Sequence, residues 1–196
     1  ALPCAVALLV FAQPMVATLF HRGAFDGRAV AMTTLAVMGW GVGVLGLVAM
    51  KVVAPAFFAR QDMRTPMWVA IGALVLTQLL NAGLILGLGM GVAALALSIG
   101  LAANANAGLL LWLLRRRGLY QPAAGWAGFA WRVLLASALM GAGMAVAARR
   151  IDWLALGAQE WGRAGAMAAA LALAAAVYFG LLALLGIRAR SFMRKG

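Results

Sequence analysis

Six long apolar stretches occupy almost the whole chain, and most of its arginine and lysine residues lie in the short segments between them. Hydrophobic residues make up 66% of the 196 residues and charged residues only 10%. A water-soluble fold of this composition would lack polar side chains to cover its surface, whereas about 20 apolar residues suffice to span a bilayer. The pattern therefore predicts an all-α, polytopic transmembrane helix bundle with six spans.

The limits of the six spans follow from the charged and helix-breaking residues between the apolar stretches. The predicted spans cover about residues 1–20, 29–50, 67–87, 91–114, 126–148 and 164–187. The second apolar stretch continues to Ala59, and we expect Lys51 and Pro55 to divide it, with its last turn kinked or held at the membrane surface. After it, Thr65 is expected to cap the third span and Pro66 to open it.

Arginine and lysine are distributed unevenly between alternate connections. The connections after the second and fourth spans, with the tail 188–196, hold ten of these residues, and the other three connections hold five. Because basic residues are retained on the cytoplasmic side, the count places the tail and the segment 60–66 in the cytoplasm. The net charge of +12 forms no continuous basic stripe, which argues against a nucleic-acid partner.

Tryptophan and glycine positions give two further expectations. Small residues four positions apart, as in Gly39 and Gly43 or Gly83 and Gly87, would allow helices to approach closely. Tryptophan rings favour the headgroup layer, and six of the seven lie near predicted span ends. These six are Trp68, Trp112, Trp126, Trp131, Trp153 and Trp161.

The ionisable residues offer little for catalysis. The single histidine and all four acids lie in connections between spans, and Cys4 is the only cysteine. These acids are Asp26, Asp62, Asp152 and Glu160. Because a catalytic site needs a nucleophile with its base or a pair of acid–base groups, the sequence predicts no enzyme. It also predicts no metal site and no cofactor.

A few polar side chains lie within the spans, where each is costly unless it faces protein or water. Gln78 and Asn81 lie in the third span, and Asn104 and Asn106 in the fourth, with Asn106 pointing away from Asn104. Gln78, Asn81 and Asn104 either line a polar substrate cavity or tie neighbouring helices together. Lys51 either reaches the headgroups or faces an aqueous cavity, where it would attract an anionic group such as phosphate.

Several sequence segments resemble one family of membrane proteins. The chain begins ALPCAVALLVFAQPMVATLFHRGAF, and LTQLLNAGL and LSIGLAANANAGLLLWLLRRRGLY follow later. Between them stands the pattern K-x-x-x-P-x-F-x-A-R-x-D-x-x-T-P, formed by Lys51, Pro55, Phe57, Ala59, Arg60, Asp62, Thr65 and Pro66. These segments resemble the C-terminal part of the MurJ (MviN) lipid II flippases, although Phe58 stands where that family often has tyrosine.

The resemblance implies the fourteen-helix MOP exporter fold, with two six-helix lobes and an additional C-terminal helix pair. Residues 1–114 would form the last four helices of the second lobe, and 115–125 a cytoplasmic linker. Residues 126–187 would form the additional pair, with a groove for a polyprenyl tail, and 188–196 a basic cytoplasmic tail. Further sequence is expected upstream, because the chain starts at Ala1 without a leader-like segment.

The implied function is to flip lipid II, the lipid-linked peptidoglycan precursor, across the bacterial inner membrane by alternating access. Implied partners are lipid II, anionic membrane lipids, the missing N-terminal part and cell-wall synthesis proteins. Some relatives bind sodium, which makes Asn81 a sodium candidate and implies dependence on sodium or on membrane potential. Two alternatives remain: an exporter of polysaccharide, lipid-linked oligosaccharide or drugs with the same fold, and a non-transporting scaffold for cell-wall synthases.

Overall fold

The computed structural model describes residues 1–20, 25–87, 91–120, 125–151, 153 and 160–185. Within these ranges the chain forms helices and no strand. The helices are α1 (Leu2–Val10), α2 (Ala12–Phe20), α3 (Gly27–Phe58), α4 (Arg64–Ala82), α5 (Val92–Arg116), α6 (Trp126–Arg150) and α7 (Glu160–Leu184). In this part of the chain, five helices are long and apolar enough to cross a membrane, or six if α1 and α2 form one bent span. The prediction of an all-α membrane bundle is confirmed.

Several of the sequence-based predictions concern residues outside these ranges. Those for His21, Asp152 and the tail 188–196 lie outside the described residues, as do part of the linker and the end of the sixth span.

The first predicted span consists of two short helices rather than one. α1 and α2 are bent by 69° at Phe11, where the backbone leaves the helical conformation. Pro14 has no N–H to donate to the carbonyl of Val10, which weakens the helix at this point. The Phe11 ring is fully buried and meets the edge of the Trp153 ring at a centroid distance of 5.3 Å. The Trp153 ring thus packs against neighbouring helices, and its predicted depth near the headgroups stays a prediction.

α3 is a single helix of 32 residues that passes through Lys51 and Pro55. Its first turn is capped by Asp26, whose carboxylate accepts a hydrogen bond from the backbone N–H of Ala29 at 2.8 Å. The helix is therefore not interrupted at Lys51 or Pro55, and the predicted end of the membrane part near residue 50 stays a prediction. A proline removes one intrahelical hydrogen bond, but the last turn is held in place by Phe57, which is buried against α4 and α5. At 1.5 Å per residue α3 is about 48 Å long and exceeds the hydrocarbon core of about 30 Å.

The closest helix pair is α3 and α5, which meet along a glycine seam formed by Gly39, Gly43, Gly46 and Gly100. All four glycines are buried. A Cβ added to Gly43 would stand 2.7 Å from the Cα of Gly100. The backbones are therefore in direct contact, and the close approach predicted from Gly39 and Gly43 is confirmed.

The second predicted glycine pair behaves differently. Gly83 and Gly87 begin and end a π-helical turn that continues α4. A Cβ added to either would meet nothing within 4 Å in the described part of the chain. No described helix makes a close approach there, so the approach allowed by the spacing of Gly83 and Gly87 stays a prediction.

The C-terminal pair, α6 and α7, packs on the bent pair α1 and α2. A Cβ on Gly141 of α6 would stand 2.5 Å from Cγ1 of Val6, so α1 and α6 are in close contact. From α7, the fully buried Arg163 donates a hydrogen bond to the backbone carbonyl of Thr18 at 3.4 Å. A cation near the carboxyl end of α2 is favoured by the helix dipole. Arg163 thus docks the last helix on the first span.

Candidate functional site

The loop between α3 and α4 is joined to the end of α5 by three side chains, which we call the Asp62 clasp: Asp62, Thr65 and Arg117. Arg117 Nη1 donates to Asp62 Oδ2 at 2.5 Å, and Nη2 donates to Thr65 Oγ1 at 2.9 Å. Asp62 also accepts bonds from the Thr65 hydroxyl, at 2.7 Å, and backbone N–H, at 3.0 Å. The Arg117 guanidinium lies 5.8 Å from the ring centre of Phe57. Three helices therefore meet at one charged contact.

The clasp corrects one expectation about this loop. The side chain that accepts the backbone N–H in the first turn of α4 belongs to Asp62, so the capping role predicted for Thr65 is wrong. Asp62 lies three residues before Thr65 and supplies a charged acceptor, which suits the positive end of a helix. Pro66 was predicted to open this helix, but α4 begins at Arg64 and Pro66 is its third residue. Arg60 is exposed in the loop.

Arg117 was missed as a partner in the sequence, where it belongs to a run of three arginines. It lies 55 residues from Asp62, so no local spacing connects them. One signal was available: Asp62 is the single acid in the connections predicted to be cytoplasmic, among many bases. Charge complementarity alone could have suggested that one of these arginines pairs with it.

The clasp fixes the protonation of Asp62. Hydrogen bonds from the Thr65 hydroxyl and from Arg117 lower the pKa of the Asp62 carboxyl from 3.8 to about 2. A lowered pKa means that folding favours the ionised form of the carboxyl. The contribution of the Asp62 hydrogen bonds to stability is therefore complete above pH 3.8 and is lost as the pH falls towards 2.

We therefore expect the stability difference between the native protein and Asp62→Asn to be constant at neutral and mildly acidic pH. It should shrink as the pH falls below 3.8. Thermal unfolding in detergent across a pH series measures this difference. If the stability difference between the two proteins stays unchanged at the lowest pH, the Asp62 carboxyl does not have a lowered pKa in the folded protein.

The asparagines within the spans bond to neighbouring helices. Asn104 Nδ2 donates to the carbonyl of Val42 on α3 at 2.7 Å and to the carbonyl of Gly100 at 2.9 Å. Asn81 on α4 accepts a hydrogen bond from the Ser98 hydroxyl on α5. These contacts correspond to the helix-tying alternative, and Ser98 and Val42 are partners that the sequence did not reveal. A role of these amides towards substrate stays a prediction.

The other two predicted cavity residues are on the surface of the described helices. Lys51 on α3 and Gln78 on α4 are both exposed. The grooves described below are lined by other side chains than Lys51, Gln78, Asn81 and Asn104. The four candidates therefore do not form one site with these grooves.

Asn106 is the more unusual amide. It is only 8% exposed, and its Nδ2 donates to the sulfur of Met50 at 3.1 Å, a weak acceptor. Its Oδ1 has no hydrogen-bond partner among the described residues. A buried acceptor without a partner destabilises the fold, because it has lost its hydration without compensation.

Asn104 and Asn106 can be compared directly because they lie two residues apart on α5. We expect Asn104→Leu to lower the free energy of unfolding by about 1 kcal/mol, since it removes two hydrogen bonds to carbonyls. Asn106→Leu should leave it unchanged or raise it, since it removes an unpartnered acceptor. Thermal unfolding of both variants tests this, and an equal loss for both would contradict it.

Three grooves between the described helices are large enough to hold a chain-like ligand. The α6–α7 groove has a volume of about 420 Å³ and is lined by apolar residues. Its walls include Met144 from α6, Ile151 just after it, and Ala169, Leu173 and Val177 from α7. The α4–α5 groove has a volume of about 440 Å³ and lies over Asn106. A further groove of about 340 Å³ reaches Asn106 from the side of α3.

The fold and these grooves define a multi-pass membrane protein built from transmembrane helices. In the described part of the chain, no group of three or more His, Cys, Asp or Glu side chains is placed to hold a metal ion. Residues 1–161 match the family model described as lipid II flippase MurJ. The chain belongs to the MurJ lipid II flippase family.

Named relatives agree with this assignment. The chain is 42% identical over its whole length to the lipid II flippase MurJ of Burkholderia cenocepacia, of which it covers 37%. It is 32% identical to the probable lipid II flippase MurJ of Vibrio cholerae, over 95% of the chain and 35% of that protein. The Haemophilus influenzae protein of the same description is 31% identical over 98% of the chain. The chain thus spans little more than a third of the length of these relatives.

Proposed function

We propose that this chain is the C-terminal part of a transporter that flips lipid II across the bacterial inner membrane by alternating access. The observation that carries the proposal is the family match over residues 1–161, together with 42% identity along the whole chain to a lipid II flippase. In this proposal residues 1–114 complete the second lobe of a fourteen-helix transporter, and 126–187 form its additional helix pair. The tail 188–196 lies in the cytoplasm, as the count of basic residues predicts. The protein transports its substrate and does not transform it.

The α6–α7 groove is the proposed site for the polyprenyl tail of lipid II. A long hydrocarbon tail gains free energy from an apolar surface that excludes competing lipids, and it needs no hydrogen bonds. The groove offers alanine, leucine, valine and methionine side chains over about 420 Å³. Small residues on α7 keep it open, because Ala166, Ala169, Ala170 and Ala174 fill little of the space between the helices.

Lys51 is the proposed contact for the pyrophosphate group of the substrate. It is exposed on α3, where the described helices leave it uncovered, and its amine is a point charge that suits a phosphate. We further propose that Asn81 helps to bind a sodium ion and that transport is coupled to sodium or to the membrane potential. Such an ion would have to displace the Ser98 hydroxyl from Asn81 Oδ1.

The proposal is tested in cells depleted of their own flippase and supplied with the full encoded protein. Ala169→Trp places a large ring in the α6–α7 groove, and we expect it to abolish rescue of growth and lipid II flipping by purified protein in vesicles. Ala175→Trp is the matched control, since Ala175 is equally exposed on α7 but does not line the groove. Lys51→Ala should also reduce flipping. Full rescue by Ala169→Trp and Lys51→Ala would favour the scaffold alternative and overturn the transport proposal.

A further inference from the structure

The α4–α5 groove is lined mainly by apolar side chains, with the buried amide of Asn106 beneath it, and is open on its outer side. Trp68, Gly72 and Leu76 of α4 form one wall, and Ala105 and Leu109 of α5 form the other. A Cβ added to Gly72 would meet nothing within 4 Å, so the groove has free space at this point. An apolar channel of this kind between two membrane helices accommodates a hydrocarbon chain.

One end of the α4–α5 groove leads to two arginines. Leu109 and Arg116 are seven residues apart, or about two helical turns, and therefore lie on the same side of α5. Arg64 precedes Trp68 by one turn of α4. Both arginines are exposed. The Arg116 guanidinium also lies 5.2 Å from the ring centre of Trp112, a cation–π contact that holds it beside an exposed aromatic ring.

The Asp62 clasp concentrates positive charge at this end of the groove. The pair of Asp62 with Arg117 joins the start of α4 to the end of α5, so Arg60 in the loop and Arg64 at the start of α4 lie at the same end of the helix pair as Arg115 and Arg116. Asp62 is the single acid in these two segments, and Arg117 neutralises it. The other four arginines therefore present uncompensated positive charge at the edge of the membrane. An anionic phosphate is the group that such a cluster attracts.

We propose that the α4–α5 groove is a binding site for one anionic phospholipid. Its acyl chain lies between Gly72 and Leu109, and its phosphate lies between Arg64 and Arg116. Arg117 takes no part, because both of its terminal nitrogens donate to Asp62 and Thr65. The site is separate from the groove proposed for the substrate tail, and the lipid comes from the cytoplasmic leaflet if the orientation proposed above is right. The lipid would hold α4 against α5 where few protein contacts cover α4.

The role of Arg64 and Arg116 in lipid binding is tested by native mass spectrometry of the full encoded protein in detergent. Phosphatidylglycerol or phosphatidylethanolamine of the same chain lengths is added. We expect the native protein to retain phosphatidylglycerol more strongly. Arg64→Gln and Arg116→Gln should each weaken this binding about fivefold, and the double variant about thirtyfold. Arg149→Gln, an exposed arginine in the last turn of α6, is the matched control and should have no effect. Inorganic phosphate should not compete at the concentration of the lipid, because it lacks the chain.

The groove itself is tested by Gly72→Leu, which adds a side chain where there is open space. It should weaken retention of phosphatidylglycerol without lowering the unfolding temperature, whereas Gly128→Leu, at an equally open glycine of α6, should change neither. Equal retention of the two lipids, or wild-type retention by the double arginine variant, would overturn the proposal. So would a lowered unfolding temperature of Gly72→Leu with unchanged lipid retention, since the groove would then be filled by another helix of the protein.

Discussion

Gly43→Ala is expected to destabilise the protein by about 1–3 kcal/mol, although it adds only one methyl group. The added Cβ would stand 2.7 Å from the Cα of Gly100, closer than a backbone can tolerate. Since the obstacle is backbone rather than a movable side chain, α3 and α5 would have to separate along the whole glycine seam. Thermal unfolding of the purified protein in detergent measures the loss.

Gly108→Ala is the matched control for this prediction. Gly108 lies on α5 like Gly100, but a Cβ there meets nothing within 4 Å in the described structure. Because alanine favours a helix more than glycine does, this variant should be as stable as the native protein or slightly more stable. If both variants unfold at the native temperature, the glycine seam does not determine the packing of α3 and α5.

Arg163→Ala is expected to lower the free energy of unfolding by about 2 kcal/mol or more. The side chain is fully buried, so its removal leaves a cavity between α7 and α2, and the carbonyl of Thr18 loses its donor. Arg163→Lys should recover part of the loss, because a cation remains near the end of α2. The measurement is thermal unfolding, combined with the accessibility to a thiol reagent of a cysteine at Thr18 in a Cys4→Ser background.

Arg149→Ala serves as the control for Arg163→Ala. Both arginines belong to the predicted connection between the last two spans, but Arg149 is exposed. Its removal should change stability by less than about 0.5 kcal/mol. If the two variants behave alike, the buried contact of Arg163 contributes nothing to the docking of α7.

The spans and their order could be predicted from the sequence because hydropathy reports directly which segments prefer lipid. The close contact at Gly39 and Gly43 was also predictable, since small residues at this spacing favour direct helix contact. Gly83 and Gly87 have the same spacing but meet no described neighbour. The spacing shows that a close approach is possible, and it does not show which helix makes it.

The partner residues in the contacts that build the candidate sites could not be located from the sequence, because each contact joins residues far apart in the chain. Asp62 is hydrogen-bonded to Arg117, which lies 55 residues away in the sequence, and Asn104 to the carbonyl of Val42, which lies 62 residues away. Arg163 and Trp153 were placed by composition in a polar connection, yet both are buried. A charge or a ring near a span end is equally compatible with lipid headgroups and with a neighbouring helix, and only the tertiary structure decides between them.

The long helix α3 is joined to α5 at two separate points, the glycine seam in its middle and the Asp62 clasp beyond its end. Two helices in contact at one point can still rotate about that point, whereas two helices in contact at two separate points are expected to move as one rigid body. Any rocking movement that this protein undergoes must therefore carry α3 and α5 together. Bending would then take place elsewhere, and the described structure offers one break for it, between α1 and α2 at Phe11.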